Sequence, residues 1–128
     1  MTAWTSDELT RIGEADELQI AARRQNGALG APRTIWVVRV ADDLYVRSAY
    51  GTRAAWYRGT QATHEGWIRA GGVEKEVAFA DAGGHLNAEI DAAYWEKYRR
   101  HGAQYVDPVT NDESHETTIQ LVPRASAT

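Results

Sequence analysis

The chain contains no cysteine, which excludes disulfide bridges and thiolate metal sites and fits a cytoplasmic protein. No apolar run approaches the roughly 20 residues needed to span a bilayer, so no membrane association is expected. The segment Met1–Leu9 is acidic and lacks an apolar core, so it does not read as a signal peptide. Positive charge is in short supply too. Lys and Arg number 14 against 18 Asp and Glu, and the resulting net charge of −4 argues against a general nucleic-acid binder. No internal repeat or low-complexity linker is present. Gly-x-Ser-x-Gly elbows, phosphate-binding P-loops and dinucleotide fingerprints are all missing, which leaves serine-nucleophile chemistry without support. His64, His85, His101 and His115 show no ligand spacing to one another or to nearby carboxylates, and no metal site is expected.

What is there reads as one domain of 128 residues, 43% hydrophobic and 25% charged, long enough to bury about two-thirds of its unfolded surface around one core. Its charge is unevenly spread. Between Leu18 and His64 seven arginines face only Asp42 and Asp43, a balance of +5, while the remainder carries seven basic and sixteen acidic residues, a balance of −9. A positive region in an acidic protein attracts a small anion such as a phosphate or carboxylate. Strand-face arginines pairing with the acidic half would give the same pattern.

The stretch Arg33–Arg58 organises the rest. Ile35–Val40 is apolar on both alternating faces apart from Arg39, as in a strand covered on both sides. Asp42-Asp43 supplies a tight turn, and Leu44–Ser48 returns antiparallel. That strand delivers Arg47 and Ser48 to a loop holding Tyr50, Gly51, Thr52 and Arg53, ahead of a short helix Ala54–Thr60 that carries Trp56 and Tyr57. Strand ends and loops are where sites usually sit.

Upstream, Thr5 and Glu8 form a capping box, with Trp4 and Leu9 as the hydrophobic staple, for a helix over Ser6–Ile12. Glu17–Arg24 reads as the first strand and Gln25–Pro32 as a wide turn. Downstream, Gly66–Ala70 and Val73–Ala80 are strands about a Gly71-Gly72 turn, with Val73, Val77 and Phe79 on one face. Asn87 is placed as N-cap of a long helix whose inward stripe is Ile90, Ala93, Tyr94, Lys97 and Tyr98. Val106–Glu116 reads as a polar loop around Pro108, Thr117–Val122 as a closing strand, and Arg124–Thr128 as a mobile tail. Five or six antiparallel strands with flanking helices fit a small barrel, because closure removes the exposed strand edges.

Candidate chemistry concentrates at Arg47–Arg58. Ser48, Thr52 and the amides around Gly51 suit phosphate oxygens, Arg47 or Arg53 supplies charge, and Trp56 with Tyr50 or Tyr57 offers a face for a flat ring. Core packing accounts equally for Trp56 and Tyr57. His64 follows this aromatic loop and is a proton-transfer candidate, although a surface loop histidine explains it too. Asp91, on the long helix, reads as surface charge.

Taken together, Trp4…Glu8-Leu9, Ile35-Trp36-Val37-Val38, Leu44-Tyr45-Val46-Arg47-Ser48, Trp56-Tyr57-Arg58, Gly71-Gly72-Val73-Glu74-Lys75 and Asp91-Ala92-Ala93-Tyr94…Lys97-Tyr98 resemble a bacterial family known only as domain of unknown function 2255, over nearly the whole chain. More distantly, Gly30-Ala31-Pro32-Arg33-Thr34, Tyr45-Val46, Ser48…Gly51 and Trp56-Tyr57 are similar to split-barrel flavin and deazaflavin oxidoreductases. That resemblance implies a split antiparallel β-barrel, often a homodimer, that binds a phosphorylated flavin-type cofactor, FMN or a deazaflavin. Carried over, cofactor binding falls on Arg33, Thr34, Arg47, Ser48, Gly51, Arg53 and Trp56. The loop before Pro32 lacks the basic and hydroxyl residues usual there, and Arg58-Gly59 replaces an expected Asn-Leu. Three readings of function follow. One is a small-molecule oxidoreductase. Another is a cofactor-free barrel whose aromatic-lined pocket binds or rearranges a small organic molecule, with His64, Tyr50 and Tyr57 as proton-transfer groups. The last is a non-catalytic dimeric module.

Overall fold

Seven strands make one antiparallel sheet, and their order explains its shape. In the computed structural model, which describes residues 3–124, they are β1 (Leu18–Ala22), β2 (Arg33–Ile35), β3 (Val38–Val40), β4 (Asp43–Val46), β5 (Glu65–Ala70), β6 (Val73–Asp81) and β7 (Ile119–Pro123). The order across the sheet is β2-β1-β5-β6-β7-β4-β3. The two edge strands are therefore neighbours in the chain, separated by Trp36 and Val37 alone. A flat sheet would hold its outer strands about 29 Å apart, whereas three Cα steps reach about 11 Å. The sheet must curl until its edges nearly meet. This is a split antiparallel barrel.

The same order corrects the continuous strand expected over Ile35–Val40. Its first residues pair with β1 (Leu18 opposite Ile35) and its last with β4 (Val38 opposite Tyr45), so the segment changes edges at Trp36-Val37. Tyr98 holds that junction. Its ring stacks on Trp36 at 4.0 Å, its hydroxyl accepts from the Val37 N–H at 3.2 Å, and it donates to the Asp16 carbonyl at 2.8 Å. Lys97 Nζ donates to the Val37 carbonyl at 2.6 Å. The turn that follows lies on Ala41-Asp42, one residue earlier than expected, with Ala41 at φ +55°.

Two hydrophobic clusters lie on the two faces of the curled sheet. Inside are Leu18, Ile20, Val37, Leu44, Val46, Ile68, Val77, Phe79, Ile119 and Leu121, closed at one end by helix α1 (Ser6–Glu14) through Trp4, Leu9 and Ile12. The capping box and staple hold as expected: Glu8 N–H donates to Thr5 Oγ1 at 3.1 Å, and Thr5 N–H donates to Glu8 Oε1 at 2.9 Å. Outside, Val38 and Tyr45 meet Ile90, Tyr94 and Tyr98 of helix α3 (Asn87–Tyr98). The strand alternation Leu44-in, Tyr45-out, Val46-in serves both clusters. The two-sided apolarity of Ile35–Val40 is thus satisfied within one chain, Ile35 and Val37 on the inner cluster and Trp36, Val38 and Val40 on the outer.

Helix α2 (Ala55–Thr63) follows β4 and a 3-10 turn at Gly51–Arg53. The expected loop over Val106–Glu116 is instead helical. It comprises α4 (Ala103–Thr110), whose Val106 and Val109 join the outer cluster, and α5 (Asp112–His115). Pro108 sits within α4, and the helix stops two residues later, consistent with the backbone bond a proline cannot make. Burial of the two valines outweighs that local preference. Asn87 is the first residue of α3 rather than its cap. Arg124 is tied to the sheet, its Nη1 donating to Glu65 Oε2 at 2.8 Å, while residues 125–128 lie outside the described part. No described helix is long and apolar enough to cross a membrane.

Candidate ligand-binding cleft

Two adjoining cavities open beside β2 and α2, and the residues between them belong to both. The first, about 380 Å³, runs over β1, with Ile20, Ala21, Ala22 and Arg24 on one side and Gly59 and Ala62 of α2 on the other. The second, about 440 Å³, is walled by Thr34, Ile35 and Trp36, by Ala49 and Tyr50, and by Tyr105 and Val109 of α4. Arg33, Ala55 and Trp56 line both.

The wall between them has an electrostatic character of its own. Helix α2 starts after Ala54, which offers no side chain to cap it, so the first amides of the helix have no acceptor from a capping residue. Uncapped helix N-termini carry partial positive charge and aim N–H groups outward, which suits an anion. Arg33, exposed on edge strand β2, makes no ion pair or side-chain hydrogen bond among the described residues. Trp56 is half-buried and meets Tyr57 edge-on at 6.3 Å, leaving its ring on the cavity wall. Tyr50 and Tyr105 are 74% and 58% exposed, unusual for aromatics, and both belong to the second cavity.

Of the residues singled out in the sequence, Arg33, Thr34, Arg47, Tyr50 and Trp56 come together at this cavity, Arg47 as a buried part of its wall. The others lie elsewhere. Ser48 is buried, its Oγ accepting from the Tyr50 N–H at 3.2 Å and its own N–H donating to Thr117 Oγ1 at 2.9 Å. Gly51 has φ +65°, and a Cβ there would collide with the Glu113 carboxylate, so this glycine serves the close approach of α5. Arg53 projects into solvent, 3.9 Å from Glu113. Tyr57 packs in the inner core; burial, with help from the Asp81 and Glu116 carboxylates, raises its phenol above the ordinary value. His64 ends α2 in the left-handed region at φ +58°, its Nδ1 3.2 Å from the Phe79 carbonyl, and lines neither cavity.

Arg47 is 1% exposed, and its donors are engaged within the protein. Nε donates to Thr118 Oγ1 at 2.9 Å, Nη1 to the Val109 carbonyl at 2.9 Å and to Asp91, and Nη2 to Asn87 Oδ1 at 3.2 Å. Its guanidinium lies over the Tyr94 ring at 5.8 Å. His115 Nε2 is 3.0 Å from both oxygens of Asp91. The Asp91 carboxylate, read as surface charge, is therefore the hub that joins α3, α5 and the end of β4.

Sequence reasoning missed the uncapped start of α2, together with Arg24, Trp36 and Tyr105. The first had a signal: Arg53-Ala54-Ala55 offers none of the side chains that cap helices. Tyr105 had none, because it depends on a helix that Pro108 disguised.

Comparison with solved structures gives the same architecture at low identity. A protein described as F420 reductase is 11% identical, with a TM-score of 0.52 over 91% of this chain and 93% of that one. The heme storage protein HutZ from Vibrio cholerae is 12% identical, with a TM-score of 0.61 over 98% and 93%. An FAD-binding protein from Mesorhizobium loti is 12% identical, with a TM-score of 0.56 over 97% and 93%. No curated protein matches the sequence. The family described as "Uncharacterized protein conserved in bacteria (DUF2255)" matches residues 8–121, nearly the whole of the curled sheet and its helices, and the chain belongs to that family.

Proposed function

We propose that the protein binds a phosphorylated flavin-type cofactor, FMN or a deazaflavin, in the second cavity and acts as a small-molecule oxidoreductase. The observation that carries this reading is the uncapped N-terminus of α2 beside Arg33, which has no partner among the described residues, set against an aromatic wall. Arg33 and the first amides of α2 would hold the phosphate, and Trp36, Trp56, Tyr50 and Tyr105 would flank the ring. The donor set suits such a group: cation and amide for the anion, apolar rings for the flat heterocycle. When bound, the cofactor supplies hydride transfer. The chain's own part is to orient it, to exclude water with the tyrosines at the mouth, and to place the Tyr50 hydroxyl where a proton can be exchanged.

Proteins of this architecture described as binding F420, FAD or heme support a ligand of this general kind. Neither cavity is lined by histidine, cysteine or methionine, so the wall favours a stacked ring over heme iron with one of those axial ligands. A homodimer belongs to the same reading, with Tyr50 and Tyr105 as the exposed aromatics a second copy would cover. Titrating FMN and a deazaflavin while recording absorbance between about 350 and 500 nm tests the proposal. A saturable shift lost in Arg33→Gln is expected. No shift at saturating cofactor would leave the cavity to a different organic ligand, with Tyr50 as the group to test next. Light scattering on the same sample reports the oligomer.

A further inference from the structure

The first cavity has a charge and a shape of its own. Its floor is the apolar face of β1 at Ile20 and Ala22, and its far wall is α2, which closes on the strand at Gly59, where an added Cβ would stand 3.2 Å from Ala22, and turns the small side chain of Ala62 to the cavity. Two further arginines stand at its rim. Arg23 is engaged, donating to the Gly27 carbonyl at 2.7 Å and pairing with Glu76. Arg24 makes no ion pair or side-chain hydrogen bond among the described residues, although its backbone N–H is fixed to the Ala28 carbonyl at 2.7 Å. An exposed guanidinium without a carboxylate partner among the described residues, on a backbone fixed at the mouth of a small apolar cavity, matches a ligand with an anionic head and a compact apolar body.

We infer that this cavity is a second binding site, separate from the aromatic cavity and specific for a small organic carboxylate, with Arg24 taking the carboxylate and Ala22, Gly59 and Ala62 enclosing the apolar part. The site goes beyond the cofactor reading and does not depend on it. It shares Arg33, Ala55 and Trp56 with the neighbouring cavity, so a ligand held there shares a wall with whatever fills that cavity, and Arg24 is the cation that belongs to this one alone.

The test uses benzoate and its uncharged counterpart benzyl alcohol, titrated into the isotope-labelled full chain and followed by amide and indole chemical shifts. Saturable benzoate shifts at Ala22, Gly59 and the Trp56 indole are expected, with benzyl alcohol at least about tenfold weaker, the ratio that loss of one charged hydrogen bond gives. Arg24→Gln should weaken benzoate about tenfold and leave benzyl alcohol unchanged. Ala62→Trp, on an exposed helix position, should block both while FMN binding persists. Equal affinity for the two probes, benzoate binding that survives Ala62→Trp, or no shift at all would each overturn the inference. Loss of FMN binding together with benzoate in Ala62→Trp would make the cleft a single site and would also overturn it. Benzoate binding without any FMN binding in the unmodified chain would sustain this site and refute the cofactor reading alone.

Discussion

Arg33 lies on the edge strand β2 and Arg47 just past the end of β4, one strand in from the opposite edge, and read from the residues alone Arg47 is the stronger anion candidate of the two. Arg47 is 1% exposed, with Thr118, Val109, Asp91 and Asn87 around it. Arg33 is exposed, without a partner among the described residues, and faces an uncapped helix. A cation with four of its five N–H donors engaged holds a structure together, whereas one with none engaged is available to something else. Partnership separates a structural cation from a binding one, and burial is its first sign.

The comparison breaks most sharply at Arg47→Met. Removing the guanidinium leaves Asp91 without its cation between α3 and α5, and unfolding by urea should show a loss of about 3 kcal/mol. Adding Asp91→Asn should restore part of it; a variant as stable as the original would make the network ornamental. Gly51→Ala comes next, at about 2 kcal/mol, because it combines a left-handed backbone with a collision against Glu113. In a Glu113→Ala background the penalty should shrink to the backbone part alone, which the same unfolding assay measures.

At Arg33→Gln the effect should move from stability to binding. The denaturation midpoint stays within about 0.5 kcal/mol, while FMN affinity falls about tenfold or more. Lys97 sharpens the same contrast through pH. Burial pushes its ammonium down to about 8, with Arg100 adding and Asp16 opposing. Because the folded value lies below the ordinary 10.5, the unfolded chain binds more protons between those limits, so this group makes stability rise from about pH 8 toward pH 10. Lys97 is not fully shielded from water, so the gain is on the order of 1 kcal/mol. Above that range Tyr94 and Tyr98, whose phenols burial raises, reverse the trend as the unfolded chain loses their protons. Urea midpoints at pH 7.5 and 9.5 should converge in Lys97→Met. Arg53→Ala stands last, with no change in stability or cofactor affinity, since its side chain is 82% exposed and 3.9 Å from Glu113.

Much of the barrel was legible because its strands obey simple alternation. Val73, Val77 and Phe79 point inward as the period of two requires, and Thr5 with Glu8 caps α1 as their spacing predicts. Legibility failed where a local rule met a tertiary contact. Ile35–Val40 has the pattern of one strand, and only the closure of the sheet divides it at Trp36. Pro108 and its polar neighbours read as loop, yet Val106 and Val109 are buried deeply enough to hold a helix. The cleft suffered most, because it is defined by what is unpaired. A free guanidinium and an uncapped helix are properties of the whole fold, and no residue announces them. Asp91 was misread for the converse reason: its partner lies 44 positions away.

The position of β7 has a consequence for how the molecule comes into being. It is the last strand of the described chain, yet it lies between β6 and β4 in the sheet. Before it arrives, β2-β1-β5-β6 form one ribbon and β4-β3 another, joined by the Trp36-Val37 bend and by the segment that carries α2 from β4 to β5. During synthesis these ribbons must wait, with Val77, Phe79, Leu44 and Val46 unsealed, until Ile119–Pro123 have left the ribosome. Closure is thus a late, long-range event, the kind that folds slowly and exposes strand edges in the meantime. The last of the described strands acts as the keystone of the sheet.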